Sequence, residues 1–402
     1  MSYAGEATAR GAGGKRSLDN PAPSSPTSCQ TMSPSGRILA TYELAAPSRQ
    51  AALAKARDMT VEQTVEVPAE CVPPPGRPMV GTIERLERAG PVRWRVACSY
   101  HPAIVGDSVT QLFNLLFGNI SMLSGMRLVD AQLPDALLSR LPGPAFGIEG
   151  LRRLCGVEGR PLVCAAAKPI GLSSAALARI CYQFAAGGAD IVKDDHGLAS
   201  QEAAPFAERV ARCHDAVAEA NQQTGGKALY VPHLSRGAGD LWEDLEYARA
   251  RGCRGVLLSP MLVGLDTVRA VAARADVAIL SHPSFAGTLL QRRHGIAPEV
   301  LFGLLFRVIG SDGVIYPNAG GRFPISLASC RAINDRLRSP LGRMLPAFPV
   351  AGGGVDAERV PYWIRQYGID TMFLVGSSLY AQRDLRAATA RLVDSIRRSS
   401  DG

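Results

Sequence analysis

The chain has 402 residues, 47% of them hydrophobic and 20% charged, with a formal net charge of +8. This composition is typical of a globular enzyme of two domains or of one barrel with an additional layer, and no apolar run approaches the roughly 18 residues that a transmembrane helix requires. Nine cysteines without a C-x-x-C pair predict reduced thiols and a soluble cytoplasmic protein, and no aromatic-interleaved basic patch suggests a nucleic-acid partner. The positive charge fits either an acidic small-molecule substrate or ordinary surface solubility.

Residues 1–35 are rich in Ser, Pro, Gly and Ala and poor in large apolar side chains, so we predict a disordered tail. Residues 36–141 predict an α+β domain of the ferredoxin-like, split βαβ kind. Its expected strands are 37–44, 61–68, 79–88, 91–100 and 126–133, and its expected helices are 49–59 and 107–119. Proline and glycine at 141–150 indicate a linker, which places a second domain at 142–402.

The second domain alternates short apolar strands with amphipathic helices that end at glycine or at a polar turn. Eight strand–helix pairs in about 240 residues predict an α/β fold of the (β/α)8 TIM-barrel type. A doubly wound open sheet is the alternative, and the barrel is favoured because the polar residues all follow the carboxyl ends of the strands. The expected strands are 161–168, 189–195, 228–234, 255–260, 277–283, 312–317, 347–354 and 371–376.

The stretch GGADIVKDDHG, residues 187–197, is a buried strand that runs directly into four polar residues. Side chains alternate along a strand, so Lys193 and Asp195 are expected on one face and Asp194 on the other. Such a cluster is costly to desolvate unless its members pair or bind an ion. Lys193, Asp195 and His196 are therefore candidate ligands of one cation, and a solvated turn with a salt bridge is an equally good interpretation.

The other strands also end in polar or glycine residues, and in a TIM barrel these ends form the functional face. Lys168 follows an apolar run, and such surroundings can lower the pKa of its amine so that Lys168 acts as a general base. The alternative is that Lys168 pairs with a carboxylate such as Asp195. The glycines after strands seven and eight let backbone amides approach an anion closely. The remaining candidates at these strand ends are His233, His282, Asn318, Arg322, Gly352, Gly353, Gly376 and Ser377.

Residues 143–197 resemble the corresponding stretch of the ribulose-bisphosphate carboxylase (RuBisCO) large-chain superfamily. The similar features are a G-P-x-x-G-I turn, a G-R-P-L strand entry, K-P followed by G-L-S, and G-G-x-D-x-x-K-D-D. The N-terminal domain is similar in VEQT and in SVTQLFNLLFGN. The resemblance runs from about residue 37 to the C-terminus and is most specific in the two lysine motifs.

The resemblance implies a role for each candidate. Lys193 corresponds to a lysine that CO2 converts to a carbamate and that helps to bind Mg2+, with Asp195 and His196 at the two carboxylate ligand positions. Lys168 corresponds to the enolising base and His282 to an active-site histidine. The glycines Gly352, Gly353 and Gly376, with Ser377, correspond to phosphate-binding loops. Glu62 and Asn119 correspond to residues that the N-terminal domain donates to the neighbouring site of a homodimer, or of a multiple of dimers.

Departures from the carboxylase pattern predict that this chain does not fix CO2. A neutral nitrogen at His196 replaces a carboxylate, so the ion site loses a charge. Pro283 replaces an arginine that binds phosphate, and the loop YPNAGGRFP lacks the lysine that holds incoming CO2. The K-P-x-x-G-L motif is also one residue short, at residues 168–172.

The chain is therefore identified as a RuBisCO-like protein of form IV. K-P-x-G-L-S together with K-D-D-H is most similar to the branch that acts on 3-oxo-isoapionate 4-phosphate as a transcarboxylase/hydrolase, which yields 3-phosphoglycerate and glycolate. A methionine-salvage enolase or isomerase of the same superfamily is the nearest alternative. A non-catalytic regulator built on a decayed scaffold is a third possible function. The presence of Lys168, Lys193 and Asp195 together argues against it.

Overall fold

The computed structural model describes residues 36–274 and 276–400. The tail predicted at 1–35 lies outside the described residues. Within them, no helix is both long enough and apolar enough to cross a membrane.

The N-terminal half contributes four antiparallel strands and two helices, in the order β1-α1-β2-β3-α2-β4. Strand β1 pairs centrally with β3 and β4, and β2 pairs with β3. This is the split βαβ arrangement predicted from the sequence. The elements are β1 Ile38–Ala45, α1 Arg49–Glu62, β2 Thr82–Arg88, β3 Arg93–Tyr100, α2 Val109–Phe117 and β4 Met126–Gln132.

The strand predicted at 61–68 is wrong. Helix α1 begins after the N-cap Ser48, whose side chain accepts from the Ala51 N–H, and continues through Val61 and Glu62. The chain then turns at Gln63, whose Nε2 donates to the Tyr42 hydroxyl and whose Oε1 accepts from the Tyr100 hydroxyl. Alternating apolar residues suggested a strand, but these buried tertiary hydrogen bonds fix a helix end instead.

Eight parallel strands form the second sheet, as predicted. Neighbouring strands pair in chain order, and the last strand returns to pair with the first. A bridge between His233 and Leu257 joins the third and fourth strands and closes the barrel. The strands are β5 Leu162–Ala167, β6 Ile191–Asp194, β7 Leu229–Val231, β8 Gly255–Leu258, β9 Ala278–Ser281, β11 Gly313–Pro317, β12 Phe348–Gly352 and β13 Met372–Val375.

Helices follow the strands and form the outer layer, except that α4, Gly147–Cys155, precedes the first barrel strand and adds Ile148, Leu151 and Cys155 to the interior cluster. A short helix α3, Asp135–Leu138, precedes the barrel, and a π-helical segment, Leu301–Leu305, joins α10 to α11. The barrel helices are α4 Gly147–Cys155, α5 Ser174–Ala186, α6 Phe206–Thr224, α7 Ala238–Ala250, α8 Pro260–Val263, α9 Leu265–Arg274, α10 Pro298–Val300, α11 Phe306–Val308, α12 Leu327–Arg338, α13 Val360–Tyr367, α14 Ser377–Tyr380 and α15 Leu385–Ser400.

The strand side chains divide into two buried layers. Leu162, Cys164 and Ile191 belong to the cluster that fills the barrel interior. Val163 and Val192, one position along, pack outward in the cluster that contacts the helices. The alternation fixes which polar residues at the strand ends face the interior.

A two-residue strand, β10 Gly295–Ile296, leaves the loop after β9 and pairs in parallel with β4 of the N-terminal sheet. His294 beside it packs against the Phe117 ring, and its Nε2 lies 2.8 Å from the Ser121 carbonyl oxygen. A segment of the barrel half is thereby built into the N-terminal sheet.

Candidate active site

Strand β6 separates its polar residues onto two faces, as the alternation predicted. The Asp194 carboxylate is completely buried on the outer face. It accepts hydrogen bonds from Arg209 Nε at 3.1 Å, the Tyr230 hydroxyl at 2.7 Å and the His233 N–H at 3.1 Å. Asp194 therefore anchors the end of β6 to α6 and β7.

Lys193 belongs to the inner face, and only 1% of its surface is exposed. Its Nζ donates to the Asp194 carbonyl oxygen at 2.9 Å. Burial lowers the pKa of this lysine, because the charged ammonium loses its hydration. Lys193 therefore holds a larger fraction of neutral, nucleophilic amine than an exposed lysine does at the same pH.

Asp195 begins the loop after β6 and lies between the side chains of Lys168 and His196. Its Oδ1 is 3.9 Å from Lys168 Nζ, and its Oδ2 is 3.6 Å from His196 Nδ1. Burial by itself raises the pKa of the Asp195 carboxyl, but the facing imidazole and the neighbouring lysines outweigh it and hold that pKa well below its usual range. Asp195 is therefore a carboxylate at any physiological pH, and it forms the ion pair with Lys168 that the sequence allowed as an alternative.

His196 lies face to face with His282, which follows β9. The Ser284 N–H donates to His282 Nδ1 at 3.2 Å, which makes that nitrogen an acceptor and leaves the ring proton on Nε2. Burial, with the nearby Lys193 and His196, lowers the pKa of His282 far below its ordinary value. The ring is therefore a neutral imidazole.

His233 is the third imidazole of the cluster and is 2% exposed. Its Nδ1 lies 3.0 Å from the Leu198 carbonyl oxygen, which only accepts, so Nδ1 carries the proton. Nε2 is then an unprotonated nitrogen, 3.5 Å from the Ser259 hydroxyl oxygen. Burial lowers the pKa of His233 to about 4.

Lys168 leaves the barrel directly after β5. The Tyr380 hydroxyl accepts from the Lys168 N–H and donates to the Ala166 carbonyl oxygen, both at 3.0 Å, which fixes the backbone on either side. The Lys168 side chain lies across Gly376, where an added Cβ would be 2.9 Å from Nζ. Two predicted residues from opposite ends of the barrel sequence are thus in contact.

The glycine loops after β12 and β13 are adjacent and linked. Gly353 and Gly354 have φ angles of 95° and 67°, which favour glycine. The Ser378 hydroxyl donates to the Val355 carbonyl oxygen at 2.7 Å and so ties the loop after β13 to the loop after β12. Ser377 is the exposed first residue of α14.

Asn318 and Arg322, both on the loop after β11, are placed differently from the cluster. Asn318 is fully buried, with its amide bound to the Gly353 carbonyl oxygen and to the Tyr367 hydroxyl. Arg322 is exposed, and its guanidinium lies over the Phe323 ring at 5.0 Å. Neither is shown in contact with Lys168, Asp195 or the histidines.

Glu62 and Asn119, predicted as a pair that serves a neighbouring subunit, are hydrogen-bonded to each other. Asn119 Nδ2 donates to Glu62 Oε1 at 3.0 Å. Glu62 is the last residue of α1, and Asn119 begins the turn after α2. The two helix ends therefore present one carboxylate and one amide together on the N-terminal sheet.

Among residues 36–274 and 276–400, no three His, Cys, Asp or Glu side chains are grouped so that they could hold a metal ion. Asp195 and His196 supply one carboxylate and one imidazole. Mg2+ prefers several oxygen ligands, so a third hard donor is needed. A carbamate on the buried Lys193 would supply one, and the donor set fits Mg2+ on that condition.

Sequence reasoning did not select Tyr380, Ser284 or Gly354. Tyr380 stands in S-S-L-Y, three residues after Ser377, and Ser284 stands two residues after His282. Gly354 ends a run of three glycines at the end of a strand, and that run was the available signal for it.

Residues 147–399 match the family model described as ribulose bisphosphate carboxylase large chain, catalytic domain. The chain is 39% identical over 365 residues to 5-methylthioribulose-1-phosphate isomerase of Rhodospirillum rubrum, covering 90% of this chain and 96% of that protein. It is 33% identical over 309 residues to 2,3-diketo-5-methylthiopentyl-1-phosphate enolase of Geobacillus kaustophilus, covering 75% and 73%. The crystal structure of a Rubisco-like protein from Rhodopseudomonas palustris superposes with a TM-score of 0.83 at 38% identity, covering 90% of this chain and 98% of that one.

Proposed function

The chain belongs to the RuBisCO large-chain family as a RuBisCO-like enzyme, and on that premise we propose that it isomerises a phosphorylated ketose by proton transfer through an enediolate. The observation that carries the proposal is the pairing of Lys168 Nζ with Asp195 Oδ1 at 3.9 Å, beside the stacked imidazoles of His196 and His282. An amine beside a carboxylate moves a proton at a carbon next to a carbonyl. The isomerase and enolase relatives bear names of reactions of this kind.

Each side chain has a distinct part in this proposal. Lys168 Nζ takes the proton from the substrate carbon and returns it to the neighbouring carbon. Asp195 stays ionised and stabilises the ammonium form of Lys168 between the two steps. His282, a neutral imidazole with its proton on Nε2, donates a hydrogen bond to a substrate oxygen on which charge develops.

We propose that Mg2+ is held by Asp195, His196 and a carbamate on Lys193. The lowered pKa of buried Lys193 supports this, because CO2 reacts with the neutral amine. When bound, the ion would polarise the substrate carbonyl. Asp195 would then bind the ion as well as pair with Lys168.

The glycine loops after β12 and β13 are proposed to hold the substrate phosphate. Backbone N–H groups in positive-φ glycine turns form concave sites for anions. In TIM barrels, the loops after the last two strands are the frequent phosphate site. The surplus of basic residues in this chain suits such a substrate.

Glu62 and Asn119 are proposed to act across a homodimer. Their 3.0 Å hydrogen bond keeps both polar groups together at the ends of two helices. This arrangement suits donation to a partner's barrel, and we propose a dimer or a multiple of dimers.

The transcarboxylase/hydrolase reaction on 3-oxo-isoapionate 4-phosphate is the second candidate. It is favoured by K-P-I-G-L-S together with K-D-D-H. Both candidates begin with an enediolate and differ in whether a carbon–carbon bond breaks afterwards. Neither uses CO2 as substrate, in keeping with a loop after β11 that lacks lysine.

The test is incubation of the protein with Mg2+ and bicarbonate in D2O, followed by proton and phosphorus NMR. With 5-methylthioribulose 1-phosphate, we expect deuterium incorporation and an isomeric ketose phosphate. Formation of glycolate and 3-phosphoglycerate from 3-oxo-isoapionate 4-phosphate would instead establish the second candidate. Without exchange or product from either compound, both assignments are rejected.

A further inference from the structure

Three consecutive carbonyl groups of the loop after β12 are held by side chains from three different elements. Asn318 Nδ2 donates to the Gly353 oxygen at 3.0 Å, and Trp363 Nε1 donates to the Gly354 oxygen at 3.1 Å. The Ser378 hydroxyl donates to the Val355 oxygen at 2.7 Å. The loop cannot turn these carbonyls toward a ligand without breaking these bonds.

The orientation of the Asn318 amide is determined by its partners. The Gly353 carbonyl only accepts, so Nδ2 must face it, and Oδ1 accepts from the Tyr367 hydroxyl at 2.6 Å. Asn318 and Tyr367 are 0% and 2% exposed, and the Trp363 ring stacks on Tyr367 with centroids 5.5 Å apart. Asn318 and Trp363 are therefore linked through Tyr367 in one buried unit.

The backbone of the loop after β12 also lies in contact with the backbone of the loop after β11. A Cβ added to Gly354 would lie 2.0 Å from the Gly320 oxygen, and one added to Gly320 would lie 2.4 Å from the Trp363 ring. The indole of Trp363 thus contacts both the loop after β11 and the loop after β12. Its position sets the spacing of the two loops.

Holding a carbonyl also aims the next N–H. In a planar trans peptide, the N–H of each residue points opposite to the preceding C=O. Fixing the Gly353 and Gly354 carbonyls therefore fixes the N–H groups of Gly354 and Val355 in the opposite direction. Within the described ranges, neither of these N–H groups donates to a protein acceptor.

We propose that Asn318 and Trp363 are positioning residues that aim the N–H groups of Gly354 and Val355 at the substrate phosphate. This inference rests on the phosphate site of the proposed function. It assigns Asn318 a role through the loop rather than in contact with substrate. Phosphate affinity is then determined in part by two side chains that lie behind the loop.

The experiment compares Trp363→Phe and Asn318→Asp with matched controls. Trp242→Phe removes an indole that packs under Arg274 instead. Asn334→Asp changes a buried amide that also accepts from a tyrosine, Tyr316, but whose Nδ2 binds no protein group in the described chain. Calorimetry measures the Kd of inorganic phosphate, steady-state kinetics measure KM and kcat, and thermal unfolding measures stability.

Each test variant is expected to weaken phosphate binding about tenfold or more, the value of one positioned hydrogen bond. KM for the phosphorylated substrate should rise by a similar factor with a smaller change in kcat. The controls should leave phosphate Kd unchanged even where they lower the unfolding temperature.

Folded test variants that bind phosphate as tightly as the wild type overturn the inference alone. Equal losses in the control variants also overturn it, because the effect would then be one of general stability. A wild-type protein that does not bind phosphate overturns the phosphate site of the proposed function and the inference with it. Trp363→Phe keeps an aromatic ring and removes the indole N–H. It therefore still tests the inference if Asn318→Asp does not fold.

Discussion

The imidazole rings of His196 and His282 are stacked, with their centroids 4.2 Å apart and 12° between their planes. His196 follows β6 and His282 follows β9, so the contact between their rings spans the mouth of the barrel. Two stacked imidazolium ions would repel at this distance, which is consistent with the lowered pKa of His282. His282 therefore adds no positive charge to this part of the site.

Replacing His196 with glutamate should raise the pKa of His282, because a carboxylate stabilises the protonated ring. The same change adds a hard oxygen donor beside Asp195 and should tighten Mg2+ binding. NMR titration of the ring signals and calorimetry with Mg2+ measure the two effects. His196→Gln is the control, and an unchanged His282 titration in the glutamate variant would contradict the prediction.

Lys168→Met should reduce solvent deuterium exchange into the substrate about a thousandfold, within the usual range for loss of a general base. The measurement is proton NMR in D2O on folded protein. Lys227→Met, an exposed lysine just before β7, is the matched control and should leave exchange unchanged. Near-normal exchange in folded Lys168→Met would remove Lys168 from the mechanism.

Carbon-13 bicarbonate should give a carbamate NMR signal that is absent from Lys193→Arg. The reason is that burial lowers the pKa of Lys193, so its neutral amine is available to CO2 at a lower pH than an ordinary lysine. Mg2+ should also bind more tightly with bicarbonate than without it. A Mg2+ affinity independent of bicarbonate would reject the carbamate as a ligand.

Arg209 and Arg212 lie on the same helix, α6, and make a matched pair for stability. Arg209→Met leaves the Asp194 carboxylate buried without a charged partner, and removal of one partner of a buried pair typically costs about 3–5 kcal/mol. Arg212→Met breaks an exposed pair with Glu208 and should change the free energy of unfolding by about 1 kcal/mol or less. Urea unfolding measures both, and equal losses would contradict the assigned roles.

Acid should destabilise the protein through His233. Its pKa falls from 6.5 to about 4 in the folded chain, so the unfolded chain binds more protons between these pH values. The contribution of the neutral His233 ring to the free energy of unfolding is complete above about pH 6.5. It is lost as the pH falls toward 4, and the loss is at most roughly 3 kcal/mol. Unfolding free energies of wild type and His233→Gln across this range measure it, and parallel curves would contradict it.

The barrel was predictable because each of its strands carries its own apolar run and glycine or polar stop. The inner position of Lys193 and the outer position of Asp194 followed from alternation alone. Strand β10 was not predictable, because Gly295 and Ile296 are a strand only through pairing with β4, far away in the chain. The helix end at Gln63 likewise depends on Tyr42 and Tyr100, which no local pattern reveals.

The same contrast holds at the candidate site. Lys168, Asp195 and His282 could be selected from the sequence because they follow strand ends. The role proposed for Asn318 could not, because its partners are a tyrosine of α13 and a glycine carbonyl of the next loop. Residues that act through others leave no motif in a single sequence.

The insertion of β10 into the N-terminal sheet makes the two halves of the chain depend on each other for completion. A fragment that begins near residue 142 would carry Gly295 and Ile296 without the strand they pair with, and would expose an apolar edge that is covered in the whole chain. The loop that carries His282 runs into that same edge. Its shape is therefore a property of the complete chain and not of the barrel sequence alone.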